Sequence, residues 1–184
     1  MNFRDQGIII AKNGFKENTY VVTLFTEKHG LYSGVIKQYS KKNGDVWAES
    51  NVVDLFWSSR LPELLGSANC VIIDSYSSFI MQNKTKLYAF NSIVSVIKKA
   101  FCEREPHNKF FPKFLSYLDC QKNNKDFSFT DYIKLEIDLL AETGYQLVLD
   151  RCAVTDKIDD LYYVSPKSGQ AVCKKVGEEY ASKL

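Results

Sequence analysis

Three lysines and a tyrosine, Lys37, Tyr39, Lys41 and Lys42, crowd the end of the stretch 7–42. Ammonium groups neutralise phosphates and release counterions whatever the base sequence. A ring such as Tyr39 offers a base a stacking surface. Lys12 and Lys16 lie upstream, and Arg4 and Arg60 are outlying members of the same set. If the fold gathers these residues, they form a surface for the backbone of single- or double-stranded DNA. The competing role is ordinary: lysines also guard exposed strand edges.

Other residues offer less specific chemistry. Phe56 and Trp57 are adjacent in an alternating run, so one faces in and one out. Trp57 is expected inward, which leaves Phe56 as the stacking candidate. Lys98, Lys99 and Arg104 follow an apolar helical face. A basic rim there suits an acidic peptide that ends in an aromatic residue. It equally complements a helix C-terminus. His29 and His107 lack the partners of a metal or triad motif. No phosphate-binding glycine loop, dinucleotide fingerprint or zinc-protease motif occurs. A nuclease has no local acidic motif behind it.

Charge excludes little. Residues 1–78 carry 8 Lys/Arg against 8 Asp/Glu, and residues 79–184 carry 16 against 14. A nucleic-acid site must arise from local clustering. The five cysteines are an odd number, widely spread and without a CxxC pair. They fit free thiols in a reducing cytoplasm. No apolar run approaches the roughly 20 residues of a membrane span, so no membrane partner is expected.

These residues need elements to position them. Ile8–Ile10, Tyr20–Phe25 and Leu31–Tyr39 read as strands separated by Asn13-Gly14 and His29-Gly30. Asn51–Leu61 is a fourth strand, with Val53, Leu55, Trp57 and Leu61 on one face. Cys70–Asp74 is a fifth. Five short antiparallel strands in about 75 residues suit a small closed barrel of the OB type. The period then changes. Leu87, Phe90, Ile93, Val94, Ile97 and Phe101 fall on one helical face. A second helix is expected over 108–120, with Pro112 in its first turn. A third opens at Thr130 as N-cap and stops at Gly144. Asp159–Ser165 and Gln170–Cys173 form a hairpin about the turn 166–169. The fold class is α+β: a five-stranded OB-fold barrel over 1–78, then an α-helical domain over 79–184 with a small β-hairpin appendage.

The order of barrel, helices and cysteine-bearing tail resembles the RecO family of bacterial DNA repair and recombination mediators. GIIIAK and LFTEKHGLYSGVIK resemble that family's early strands, with Thr26, Glu27, Gly30 and Leu31 in place. LAETGYQLVLDRCAVTDKIDDLYYVSPKSGQAV is similar to alphaproteobacterial members. The resemblance covers essentially the whole chain. It implies binding and not catalysis: DNA binding, strand annealing, contact with RecR and with the tail of single-strand-binding protein, and help in loading RecA. It also implies a bacterial cytoplasmic, nucleoid-associated location. Gln38 departs from the glycine that many relatives carry after the third-strand lysine. Some relatives hold zinc on two CxxC knuckles. Here region 150–176 keeps only Cys152 and Cys173, with Thr155 and Val176 three residues on, so no zinc or other cofactor is expected. The end at Leu184 reads as a trimmed or a naturally short C-terminus. A protein–protein adaptor, whose barrel binds partners and not DNA, is the alternative.

Overall fold

The computed structural model describes residues 1–37, 46–61, 64–124 and 126–181. By contacts the chain forms two compact units, Met1–Leu135 and Glu136–Leu184.

The first unit opens with a closed five-stranded barrel in the order β1-β2-β3-β5-β4. Its strands are β1 (Asn2–Lys16), β2 (Thr19–Thr26), β3 (Gly30–Lys37), β4 (Val52–Ser58) and β5 (Gly66–Asp74). Strand β1 is far longer than the Ile8–Ile10 run suggested. Its first half pairs with β4 and its second half with β2. One strand therefore serves both sides of the barrel. The register with β2 shifts on either side of Ile10 and Phe15. Such bulges add twist and let a long strand bend. Asn13-Gly14 is consequently no turn. The chain reverses at Glu17-Asn18, where Asn18 takes φ 50°. The predicted turn at Gly30 does occur, at φ 73°, and the Thr26 hydroxyl donates to Gly30 O at 2.8 Å.

The barrel is not wholly antiparallel. β3 and β5 meet in parallel at Gly34↔Gly66 and Val35↔Ser67. Trp57 packs over this seam, and its indole N–H donates to Ser33 O at 3.0 Å. A Cβ on Gly66 would stand 2.3 Å from the Trp57 ring, and one on Gly34 2.8 Å from the Ala68 Cβ. Trp57 is inward as expected, with Ile9, Leu24, Val53 and Leu55. Leu61 was expected beside it but is exposed, because β4 ends at Ser58 and leaves Leu61 beyond the pleat.

The outer face of β1 and β2 is also apolar and covered. Phe25 is fully buried among the rings of Phe101, His107, Phe110 and Phe111. These come from the segments around α2 (Lys84–Ala100) and α3 (Phe111–Asn123), which follow a short α1 (Ser77–Met81). Asn83 caps α2 by accepting from Thr85 N and Lys86 N. Asn51 Oδ1 accepts from the backbone N–H of Tyr76 and Ser77 and so ties α1 to the barrel. Lys86 is buried, and its ammonium donates to Gln121 O and Asn124 O at the end of α3. Pro112 sits in the first turn of α3. Asp74 pairs with Lys122 at 2.7 Å.

Helix α4 (Phe129–Glu142) crosses into the second unit. Ser128, not Thr130, caps it: the Ser128 hydroxyl accepts from Asp131 N at 3.3 Å. The helix starts two residues early, which puts Asp131 three residues after the cap. Leu135 and Leu139 are buried, while Ile133 and Leu140 are exposed. Its covered face is therefore narrower than the composition suggested. Gly144 stops it at φ 87°. The second unit then builds a three-stranded sheet, β6-β8-β7, from β6 (Val148–Cys152), β7 (Leu161–Val164) and β8 (Gln170–Cys173). β7 and β8 form the expected hairpin. β6 was missed because its burial pattern does not alternate. A short α5 (Lys174–Gly177) and a 3-10 turn end the described chain.

Two outcomes follow. Gly66→Ala should lower barrel stability by about 1–3 kcal/mol, since Trp57 must leave its rotamer or the seam must open; urea unfolding followed by tryptophan fluorescence measures it. The Lys122 hydrogen bond holds the Asp74 carboxyl below the usual aspartate range. Its contribution is therefore present above the unfolded value of about 4 and lost as pH falls through the lower folded value. Both groups are partly solvated, so Lys122→Met should cost no more than about 1 kcal/mol at neutral pH. The difference from the parent should vanish in urea titrations under acid.

Candidate nucleic-acid interface

The register of β1, β2 and β3 decides which cations meet. Lys16 pairs with Thr19, and Thr19 pairs with Lys37. A row across three strands thus carries a lysine at each outer position. One step inward, Gly14 pairs with Tyr20 and Lys12 with Val22. The Lys12 ammonium lies 4.8 Å from the centre of the Tyr20 ring. The Lys16 ammonium lies 5.5 Å from the ring of Phe15. Phe15 is 55% exposed because the bulge turns it out of the ladder. The end of the β1-β2-β3 meander is therefore basic and aromatic together, with Glu17 in the turn offsetting part of the charge. Lysines there neutralise phosphate, and exposed rings stack bases. Tyr39, Lys41 and Lys42 lie outside the described residues.

Arg4 and Arg60 belong elsewhere. Arg4 lies in the half of β1 that pairs with β4, opposite Phe56. Its Nε donates to both Asp54 oxygens at 2.9 Å, and Nη2 also donates to Oδ2. The guanidinium sits 4.7 Å from the Phe56 ring centre. Asp54 raises the Arg4 pKa, and Arg4 holds the Asp54 carboxyl below its usual value. Much of the Arg4 charge is therefore answered within the protein. Beside this pair runs an open groove of about 440 Å³ lined by Asn2, Phe3, Arg4, Phe56, Trp57, Ser58 and Asn69. A neighbouring hollow of about 430 Å³ takes in Ser59 and Arg60. Amide and hydroxyl groups around an exposed ring can stack a base and bond its edge.

The third set divides as well. Lys98 and Lys99 stand exposed in the last turn of α2. The apolar face they border is filled by packing, since Phe90, Ile93 and Ile97 are buried. Arg104 leaves that helix altogether. It takes φ 65°, donates its N–H to Leu31 O at 3.1 Å and lays its guanidinium 5.6 Å from the Tyr32 ring centre.

Sequence reasoning missed Phe15, Tyr20 and the polar groups of the groove. Phe15 follows Gly14, and that pair was the one available hint of a bulge. It also missed a buried carboxylate on β1. Asp5 Oδ2 accepts from Lys28 N at 2.9 Å and bonds His29 Nδ1 at 2.8 Å. The His29 ring stacks on Phe3, centres 4.0 Å apart. This ties the β2–β3 turn to β1 and accounts for a histidine that had no sequence partner. Among the described residues no group of three or more His, Cys, Asp or Glu is placed to hold a metal. No helix among them is long and apolar enough to cross a membrane.

Barrel, basic and aromatic strand ends, and a following helical layer define an OB-fold protein with a separate C-terminal part. Comparison with known proteins gives the family. Residues 1–76 match the model described as Recombination protein O N terminal, and residues 81–183 match Recombination protein O C terminal. The DNA repair protein RecO of Rickettsia rickettsii (strain Iowa) is 52% identical over 184 residues, all of this chain and 77% of that protein. That of Rickettsia bellii (strain OSU 85-389) is 50% identical over all of this chain and 76% of its own length. The chain belongs to the RecO family of bacterial DNA repair proteins.

Cys70 gives a chemical test of the groove strand. Burial, with the Asp54 charge added, pushes its thiol up to about 12. Cys70 should therefore resist iodoacetamide at pH about 8, where a thiolate is required. Exposed Cys102 should be labelled. Peptide mass mapping separates the two.

Proposed function

We propose that the chain is a non-enzymatic mediator of recombinational repair that binds single- and double-stranded DNA and anneals complementary strands. Lys12, Lys16 and Lys37 would neutralise backbone phosphates, with Tyr20 and Phe15 as stacking surfaces. Tyr39, Lys41 and Lys42, which follow Lys37 in sequence, belong to the same proposed DNA-binding set. Arg4 and Arg60 would make a second, weaker contact on the β1–β4 side, weaker because Asp54 already answers Arg4. The observation that carries the reading is the Lys16–Thr19–Lys37 row, with the exposed ring of Phe15 and the half-buried ring of Tyr20 beside its lysines.

Membership of the family supports the wider role. In this reading residues 1–78 grip DNA and residues 79–184 present partner surfaces. The partners are RecR, the tail of single-strand-binding protein on Lys98, Lys99 and Arg104, and through them the loading of RecA in the bacterial cytoplasm.

Fluorescence anisotropy with a labelled single-stranded oligonucleotide, titrated with salt, tests the DNA contact. Each phosphate contact to a single strand contributes about 0.7 to the slope of log K against log salt. Lys12→Ala, Lys16→Ala and Lys37→Ala together should flatten the slope by about 2. Arg4→Ala with Arg60→Ala should change it less. A parent protein without salt-dependent affinity would overturn the reading and leave a protein–protein adaptor.

A further inference from the structure

Strand β5 is covered along one side only. β4 lies beside it from Ser67 to Asp74, whereas β3 meets it at Gly66 and Ser67 alone. From Asn69 to Ile73 the far edge of β5 has no strand beside it among the described residues. The side chains record the gap. Cys70 and Ile72 stand opposite Leu55 and Val53, which are fully buried on the core side of β4. Yet Ile72 is 41% exposed, because no described strand crosses the edge beside it. On the outer face Val71 is 60% exposed and Ile73 54%. Natural edges are guarded by lysine, proline or an inward-pointing charge, and Asn69–Ile73 carries none of these.

The apolar surface continues past the strand. Phe79 and Met81 of α1 are exposed, and the Lys122 ammonium that pairs with Asp74 lies 5.8 Å from the Phe79 ring centre. Val71, Ile72, Ile73, Phe79 and Met81 together present about 500 Å², a size at which a patch on a monomer marks an interaction site. Two such patches face to face would bury about 1,000 Å², the lower bound for a specific interface. Charge also allows two copies to meet. A two-fold axis sets each group near its own copy, so an unanswered charge would repel itself. Both carboxylates that flank the strand are answered within the chain: Asp54, opposite Val71, by Arg4, and Asp74 by Lys122.

We infer that the Asn69–Ile73 edge of β5 is a self-association surface, on which a second copy of this chain adds its own β5 in antiparallel pairing. Such pairing about a two-fold axis satisfies the open N–H and C=O groups of both edges at once. It covers Ile72 on one face of the sheet and Val71 and Ile73 on the other. The surface does not rest on the DNA reading, although a dimer would carry two sets of the basic strand ends.

Sedimentation velocity on the full chain, from about 1 to 100 μM, tests the inference, since an interface at the lower size bound should dissociate within that range. The parent should shift from monomer to dimer as concentration rises. Val71→Lys with Ile73→Lys should weaken dimerisation about 100-fold or more, because edge lysines oppose their own copies across the axis. Both side chains are exposed, so circular dichroism and the urea midpoint should stay unchanged. Tyr88→Lys, on the exposed face of α2, should leave the dimer intact. Amide hydrogen exchange by mass spectrometry needs no variant: residues 69–73 should be protected in concentrated solution and lose that protection on dilution. A parent that stays monomeric throughout would overturn the surface. So would a dimer that survives both lysines, or one that leaves exchange at 69–73 unchanged.

Discussion

The barrel depends on how Trp57 lies over the seam between β3 and β5. Only two register pairs join those strands, so backbone hydrogen bonding there is slight. The indole supplies the missing contact area, and its N–H satisfies Ser33 O. It fits because Gly34 and Gly66 leave room that any side chain would fill. Without closure β3 and β5 would be edges along their whole length, and open edges invite pairing with other chains. Closure also holds the β1-β2-β3 meander in a fixed curve, and the cations at its end keep their spacing for that reason.

Strand β1 is the second organising element. It pairs with β4 through its first half and β2 through its second, and Ile8–Ala11 are buried between. A strand shared by two sides must bend, and it bends at bulges. The bend separates Arg4 from Lys12 and Lys16, although all three lie on one element. Charges close in sequence thus face different parts of the surface. One set meets the rings of Phe15 and Tyr20, and the other meets Asp54 and a polar groove. A nucleic acid would encounter these as distinct surfaces.

The helical layer of the first unit is not an appendage to the barrel. Phe25 projects from β2 into a nest of rings from beyond α2 and from α3, and Asn51 caps the first turn after β5. Buried Lys86 answers carbonyls at the end of α3 that helix geometry leaves open. Aromatic area supplies most of the cohesion, and these polar contacts set its register.

Much of this was legible in the residues themselves. Alternation in β4 put Trp57 inward and Phe56 outward. The 3.6-residue period found α2, and Pro112 and Gly144 placed a helix start and a helix stop. These signals are local, because backbone geometry repeats over a few residues. The pattern of five strands then helices, with the family-like segments, settled the fold class. The tertiary structure alone decided which cations stand together. Lys37 reaches Lys16 through strand register, Arg4 is drawn to Asp54, and Arg104 leaves Lys98 and Lys99 for Tyr32. It alone revealed the parallel seam, the Asp5–His29 tie and the hydrogen bond from Cys173 N–H to Cys152 Sγ. Each of these is a pairing across dozens of residues. No local period encodes such a pairing; it follows from how the barrel closes and how the small sheet orders its strands.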